Sequence, residues 1–306
     1  MRWEQEREKG SVLGMRTLLF FARCLGYWPG AAITLGVATF HWAASPRTRR
    51  HSASYLRRVG VLAPDASMWA RARATLRHFQ EFSINLYDRV WLWQGRTDLF
   101  RIERTGHELI VSLKGAVLVG AHTGSFDLMR VLSQAHAVKV HAVMYTQAGA
   151  KYASLLKSIN PDAGIDVFLL DGRMEQIFEM QALVQSGGIL AVLADRQTPG
   201  SGRLRAASVP FLGEPAPFPT QVWHLASLLE CPVVLVSAVR TGWRRYHVRA
   251  ETFLDRVEVP RKEREAALRR VVERYAASLE RTCRETPYQW FNFFDFWSAS
   301  SERPGP

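Results

Sequence analysis

The chain reads as an α/β fold, a mostly parallel mixed sheet covered by helices and preceded by an apolar helical segment. Three observations predict this. Short apolar runs recur at Ala116–Ala121, Val138–Tyr145, Ile165–Leu170, Ile189–Ala194 and Cys231–Val239. Runs of this length, bounded by turn residues, suit strands buried on both faces. Segments with helical periodicity separate them, as a parallel sheet with crossover helices requires. Ahead of them lies Cys24 to Ala44, which carries no formal charge if His41 is neutral.

The 306 residues are 47% hydrophobic, enough for one large core. The division expected is 1–60, a membrane-associated helical segment with a basic flank, and 61–306, the α/β domain. Forty Lys plus Arg against 28 Asp plus Glu give a formal charge of +12. Such a balance suits anionic partners: nucleic acid, anionic lipid or an acidic carrier protein. Nucleic acid is disfavoured, because the arginines are spread along the chain with no recognised binding motif. Ten Trp and sixteen Phe fit a membrane interface better. Three scattered cysteines, Cys24, Cys231 and Cys283, suggest neither a disulfide framework nor a zinc site. No metal is expected.

The Cys24–Ala44 run approaches the roughly 20 residues that cross a bilayer. Pro29-Gly30 is expected to break or kink it. Tyr27, Trp28, His41 and Trp42 are amphipathic anchors, and Arg47, Arg49, Arg50, Arg57 and Arg58 form a positive flank. A buried core helix pair is the plain alternative. Ala66–Trp93 has helical periodicity, with Trp69, Leu76, Phe79, Phe82 and Leu86 toward the core and Arg71, Arg73 and Arg77 outward. Leu99–Leu113 leads into the first central strand. Ala150–Ile159 and Met174–Gln185 read as helices, the second closed by Gly187-Gly188. Residues 214–220, rich in proline, read as a stiff extended segment. A helix to Leu229, a strand over Arg245–Ala250 and a long charged helix over Lys262–Arg284 complete the pattern.

Chemistry centres on the end of the Ala116–Ala121 run. His122 follows it, Thr123-Gly124-Ser125 is a turn signal, and a helix begins near Phe126 with Ser125 as N-cap. Open α/β sheets bind ligands at the carboxyl ends of their strands, so His122 is well placed. Asp127, five residues on, is spaced to reach back to one imidazole nitrogen and leave the other as a base. A core histidine beside an unrelated capping acid has the same spacing. Asp195-Arg196 stands just past the Ile189–Ala194 run, so it should share the sheet edge with His122. A structural ion pair is the ordinary reading of it. Arg203 and Arg205 lie in a Gly/Ser-rich loop and could hold phosphate by forked donors.

The sequence Gly120-Ala121-His122-Thr123-Gly124-Ser125-Phe126-Asp127 resembles the glycerolipid acyltransferase superfamily, and within it the lipid A late acyltransferases. Asp195-Arg196 followed by Pro210-Phe211-Leu212-Gly213 is similar to the family's second signature region, where Leu212 stands in place of a more usual second aromatic. The C-terminal Gln289-Trp290-Phe291-Asn292-Phe293-Phe294-Asp295-Phe296-Trp297 resembles the branch that accompanies aryl polyene or xanthomonadin-type pathways. The resemblance implies transfer of a fatty acyl group from an acyl thioester to a hydroxyl of a lipid or glycolipid. It implies His122 as base and Asp127 as its partner. Acceptor and acyl chain would be bound by Thr123, Gly124, Ser125, Asp195, Arg196, Arg203, Arg205, Pro210, Phe211 and Gly213. It implies no cofactor, an acyl carrier protein or coenzyme A thioester as co-substrate, and the cytoplasmic face of a bacterial inner membrane. Backbone N–H groups of residues 123–125, or Arg196, are candidates to stabilise the oxyanion. A thioesterase with the same His-Asp pair, and a non-catalytic basic membrane binder, remain open.

Overall fold

The computed structural model describes residues 26–126, 128, 140–145, 166–170, 173–196 and 206–297. Asp127, Arg203, Arg205, the helix expected over Ala150–Ile159 and the apolar residues before Gly26 lie outside them.

Among the described residues seven strands form one sheet: β1 (Arg101–Thr105), β2 (Ala116–Gly120), β3 (Val140–Tyr145), β4 (Asp166–Leu170), β5 (Ile189–Leu193), β8 (Val233–Gly242) and β9 (Arg245–Leu254). Their order is β1-β9-β8-β2-β5-β3-β4, and every neighbouring pair is parallel except the β8–β9 hairpin. The sheet is therefore mixed and mostly parallel, as expected. Strand β2 is central, and all five of its residues are buried. Its side chains alternate between two cores: Val117 and Val119 enter one, Leu118 the other. Strand β5 divides likewise, with Leu190 and Val192 on the first side and Ile189 and Ala191 on the second. Apolar residues on both faces explain why the sequence shows continuous runs and no alternation.

Helices cover both faces. On the first lie α2 (Pro46–Arg58), α6 (Gln221–Leu229) and the long α7 (Arg264–Glu285), with Tyr55, Trp223, Val272, Tyr275 and Leu279 in the core. On the second, α1 (Tyr27–Ala44) and α3 (Met68–Trp93) contribute Tyr27, Ala31, Ile84, Tyr87, Val90 and Trp91. Residues 27–60 thus share both cores with the rest of the chain. Two short helices, α4 (His107–Ser112) and α5 (Glu175–Gln185), are also present among the described residues.

Local expectations are corrected at two places and made more specific at a third. Pro29 does not break α1, because it sits in the first turn, where its missing N–H has no intrahelical acceptor to lose. Gly30 serves close packing: a Cβ there would lie 2.3 Å from the Tyr87 hydroxyl, which donates to the Tyr27 carbonyl at 2.9 Å. Trp69, placed in the core by periodicity, is 80% exposed near the start of α3. The proline-rich stretch is a strand. β6 (Ala206–Phe211) and β7 (Glu214–Pro219) form an antiparallel ribbon, turned at Leu212 and Gly213 with φ of 51° and 87°. Positive φ at both central residues is the geometry that hairpin twist favours. A two-stranded ribbon has only edges, so it tolerates prolines without a ladder hydrogen bond.

One buried polar cluster ties α1 and α3 to β9. Asp88 accepts hydrogen bonds from the hydroxyls of Tyr27 and Tyr246, both at 2.8 Å. Burial pushes its carboxyl up to about 6, against the tyrosine donors and Arg240, which favour the anion. A raised carboxyl contributes stability that is full below its unfolded value of about 4 and is lost as pH rises through about 6. Buried His78 has the opposite sign: burial lowers it to about 4, so acid destabilises the fold as pH falls from about 6.5 toward 4. Asp88→Asn removes only the first effect. We expect the wild type's advantage over this variant to shrink by on the order of 3 kcal/mol between pH 4 and 7, read from denaturant melts. A pH-independent difference would show that Asp88 is charged throughout.

Candidate catalytic site

The site is set by strand register. β2 and β5 run parallel with Gly120 paired to Leu193, and the pairing continues when the Ala194 N–H donates to the Gly120 carbonyl at 3.0 Å. His122 and Asp195 each lie two residues beyond that pair, side by side at the carboxyl edge of the sheet. The His122 ring Nδ1 lies 2.8 Å from Asp195 Oδ1, and the His122 backbone N–H donates to Oδ2 at 3.1 Å. The Trp290 indole N–H donates to the same Oδ2 at 2.9 Å.

Asp195 is wholly buried, whereas the His122 side chain keeps 35% exposure. Burial alone would raise the Asp195 carboxyl, but His122, Arg196 and the Trp290 donor hold it below the ordinary carboxylate range. Asp195 is therefore ionised at neutral pH and can only accept, which places the proton on His122 Nδ1 and leaves Nε2 with a free lone pair. Burial, followed by the positive charge of Arg196, lowers the His122 pKa despite Asp195, with Arg89 of α3 adding a smaller effect in the same direction. A neutral imidazole with its tautomer fixed by a buried carboxylate can act as a general base.

The turn after His122 is locked by two other segments. Gly124 has φ of 55°, and a Cβ would meet the Ala238 carbonyl oxygen at 2.0 Å, so only glycine fits. The Gly124 N–H donates to the Gln289 carbonyl at 2.8 Å, and the Ser125 N–H to the Ala238 carbonyl at 2.7 Å. Two of the three amides considered for an oxyanion are thus already engaged. Thr123 pairs antiparallel with Trp290, and its N–H has no acceptor among the described residues. Ser125 caps the following turn through its carbonyl, which accepts from the Leu128 N–H; its buried hydroxyl has no partner among the described residues.

The sequence placed Asp195 with the substrate-binding groups. Here it is sealed from solvent and acts on His122, because the parallel register brings it there. Asp127 lies outside the described residues. Arg196 is turned into the C-terminal segment: its Nη2 donates to the Phe291 carbonyl, and its guanidinium lies 5.4 Å from the Phe294 ring centre. Phe211 is fully buried and packs against Trp290 at 5.3 Å, behind the site. Pro210 and Gly213 are exposed at the end of the β6–β7 ribbon. Below the turn, a groove between the sheet and α7 is lined by Thr123, Ser237, Tyr275, Arg249 and Arg281. Both arginines face acids at 3.0 Å, Glu285 and Glu251, so the charges there are balanced. The residues missed by sequence reasoning are Gln289 and Trp290 as holders of the turn, and buried His78, whose Nε2 lies 3.0 Å from the Trp290 carbonyl. The aromatic C-terminal segment was the only signal for them.

Fold and site together define an α/β protein with a strand-end His-Asp pair on a mixed, mostly parallel sheet. The chain matches no protein-family model and no curated protein. Among solved structures it is similar to the 1-acyl-sn-glycerophosphate acyltransferase PlsC from Thermotoga maritima, with 14% identity, 82% of this chain and 98% of that one covered, and a TM-score of 0.38.

Proposed function

We propose that the chain is a membrane-associated acyltransferase that moves a fatty acyl group from an acyl thioester to a hydroxyl of a lipid or glycolipid. The observation that carries this reading is His122, neutral and tautomer-locked by ionised Asp195, with its ring partly open at the sheet edge. The two sequence blocks that contain these residues resemble acyltransferase signatures and supply the reaction class. In the proposed reaction the acceptor hydroxyl attacks the thioester carbonyl while His122 Nε2 takes its proton. The imidazolium that forms is stabilised by Asp195. Collapse of the tetrahedral intermediate breaks the C–S bond, and the proton passes to the departing thiol sulfur. Thr123 N–H is the backbone candidate for the oxyanion.

The donor proposed is an acyl carrier protein, whose acidic surface the +12 chain would attract; coenzyme A is the alternative. Hydrolysis of the same thioester is the second reading, since water could replace the acceptor; turnover that needs no acceptor would favour it. A non-catalytic membrane binder would be indifferent to His122. Lipid mass spectrometry of cells with the wild type and with His122→Ala tests the reading: a mass difference of one acyl group identifies the acceptor, and identical lipids refute the activity.

Attachment to the cytoplasmic face of the membrane is part of the proposal. Among the described residues no helix is long and apolar enough to cross a membrane. Helix α1 nevertheless turns Trp28, Ile33, Val37 and Phe40 outward, and Trp243 of the β8–β9 hairpin stands beside Trp28 at 5.6 Å. Isolated exposed apolar residues are ordinary, but a continuous face of them suits an interfacial helix. Arg47, Arg50 and Arg57 are exposed nearby, while Arg58 pairs with Glu214 and covers Trp297. The protein is expected to sediment with membranes and stay bound through a high-salt wash, because apolar burial is not screened. Full release by salt would show that charge alone holds it.

A further inference from the structure

Three consecutive C-terminal residues grip the catalytic turn from the far side. The Gln289 carbonyl accepts from the Gly124 N–H at 2.8 Å, and the Phe291 N–H donates to the His122 carbonyl at 3.0 Å. Between them, Trp290 sends its indole N–H to Asp195 Oδ2 at 2.9 Å. The indole is fully buried, and its orientation is fixed by Tyr55, Phe211 and Phe296, with ring centres 5.1 to 5.3 Å away. The backbone is fixed as well. His78 Nε2 lies 3.0 Å from the Trp290 carbonyl, and its Nδ1 lies 2.9 Å from Ser52 Oγ. Burial lowers His78 to about 4, so it is neutral at physiological pH. A carbonyl can only accept, so the His78 proton sits on Nε2, and the Ser52 hydroxyl donates to Nδ1.

We propose that Trp290 is a positioning residue for catalysis: its indole N–H holds the Asp195 carboxylate in the one rotamer that receives His122 Nδ1. This rests on His122 being the base. A carboxylate accepts through four lone-pair directions, and among the described residues Asp195 is held by three donors: the His122 ring, the His122 backbone and Trp290. The ring donor can rotate with the acid, and the His122 backbone N–H fixes Oδ2 from one side only. Trp290 is the donor that anchors the pair to a different element. Reacting groups misplaced by about 1 Å lose on the order of 10²-fold in rate, so a single anchoring bond has a measurable consequence. A tryptophan suits the task because its donor is rigid, has no acceptor character and is carried on a large apolar body.

The sign of the electrostatic effect follows. Removing the N–H leaves more of the Asp195 charge facing His122, which favours the imidazolium. Among the described residues, the other charged groups acting on the imidazole, Arg196 and Arg89, oppose it and are unchanged. Tyr275, which Asp195 also influences, donates to the Gly120 carbonyl at 2.9 Å and does not titrate near neutrality, being raised well above its ordinary value by burial.

The test uses the full chain with two changes at position 290. Trp290→Phe removes the N–H and part of the ring. Benzothienylalanine, placed there by site-specific incorporation, keeps the bicyclic shape and puts sulfur where the N–H was. Each is measured for turnover, pH dependence, thermal melting and the His122 pKa by ¹⁵N NMR. With the isostere we expect a folded protein with a lower but still cooperative melt, since a hydrogen bond to a buried charge is lost; kcat should fall by about ten- to a hundredfold with little change in KM, and the His122 pKa should move upward. A folded isostere protein with wild-type kcat and an unmoved His122 pKa overturns the proposal and makes Trp290 a packing residue, whether or not Trp290→Phe folds. If His122→Ala retains activity, His122 is not the base and the reading on which the proposal rests fails instead. The His122 pKa in the isostere protein then still decides whether Trp290 acts through Asp195.

Discussion

His122→Ala is expected to lower acyl transfer by about 10²–10⁴-fold, the range that loss of a general base typically costs. Turnover at saturating donor and acceptor should carry the loss, because proton removal occurs only on the way to the transition state. The variant should still fold. It leaves Asp195 buried with two of its three donors, the His122 position's own N–H and the Trp290 indole. Losing the ring's bond to a charged group should cost about 1.5–3 kcal/mol of stability, visible as an earlier denaturant midpoint. The pH profile of the wild type adds a second check. Because the His122 pKa lies below its ordinary value of about 6.5, the base is already free at neutral pH. Rates should be level from about pH 7 upward and fall only as pH drops below about 6.5. A folded His122→Ala protein with near-normal rates would remove His122 from the chemistry.

The legible part of this site was the part written in short apolar runs. Ala116–Ala121 and Ile189–Ala194 are continuous enough to identify two doubly covered parallel strands, and a polar residue just past each belongs at the sheet edge. Which carboxylate serves His122 was not legible in that way. Asp127 is near in sequence, and a turn can bring it back. Asp195 is 73 residues away and reaches the imidazole only because β2 and β5 are neighbours in register, a tertiary fact with no local signature. Trp290 is further still, and its sequence context announces aromatic packing but not a hydrogen bond to an acid. Errors elsewhere have the same origin. Periodicity gives Trp69 a face of α3 but cannot say that the core ends before the helix's first turn. Proline content argues against a central strand and says nothing against a ribbon made wholly of edges, which is what residues 206–219 form.

Asp195→Asn should be as damaging as loss of the base itself, at about 10³–10⁴-fold in kcat, and it separates Asp195 from Asp127. The reason is a count of donors. Among the described residues Asp195 faces three N–H groups: the His122 ring on Oδ1, and the His122 backbone and Trp290 indole on Oδ2. An asparagine has one carbonyl oxygen and one NH₂ group to meet them. If its oxygen keeps the imidazole, its NH₂ points at two other donors in a fully buried site. If it flips, the oxygen satisfies the backbone and Trp290, and the NH₂ confronts His122 Nδ1. The imidazole must then shed its Nδ1 proton and carry it on Nε2, where the lone pair is needed. The flipped state satisfies more groups, so the variant should fold with the wrong tautomer. Stability should fall by about 1.5–3 kcal/mol, the worth of a hydrogen bond to a charged group. The sign of its pH dependence is also fixed. A carboxyl depressed in the folded state contributes stability that is full above its unfolded value of about 4 and is lost as pH falls through the depressed value. The stability gap between wild type and Asp195→Asn should therefore stay level from about pH 6.5 to 8, above the range where His122 takes up its proton. Asp127→Asn, measured beside it, should cost less, since Nδ1 already has its carboxylate. The reverse order, a crippled Asp127→Asn and an active Asp195→Asn, would assign the partner of His122 to the near acid and leave Asp195 a buried structural anion.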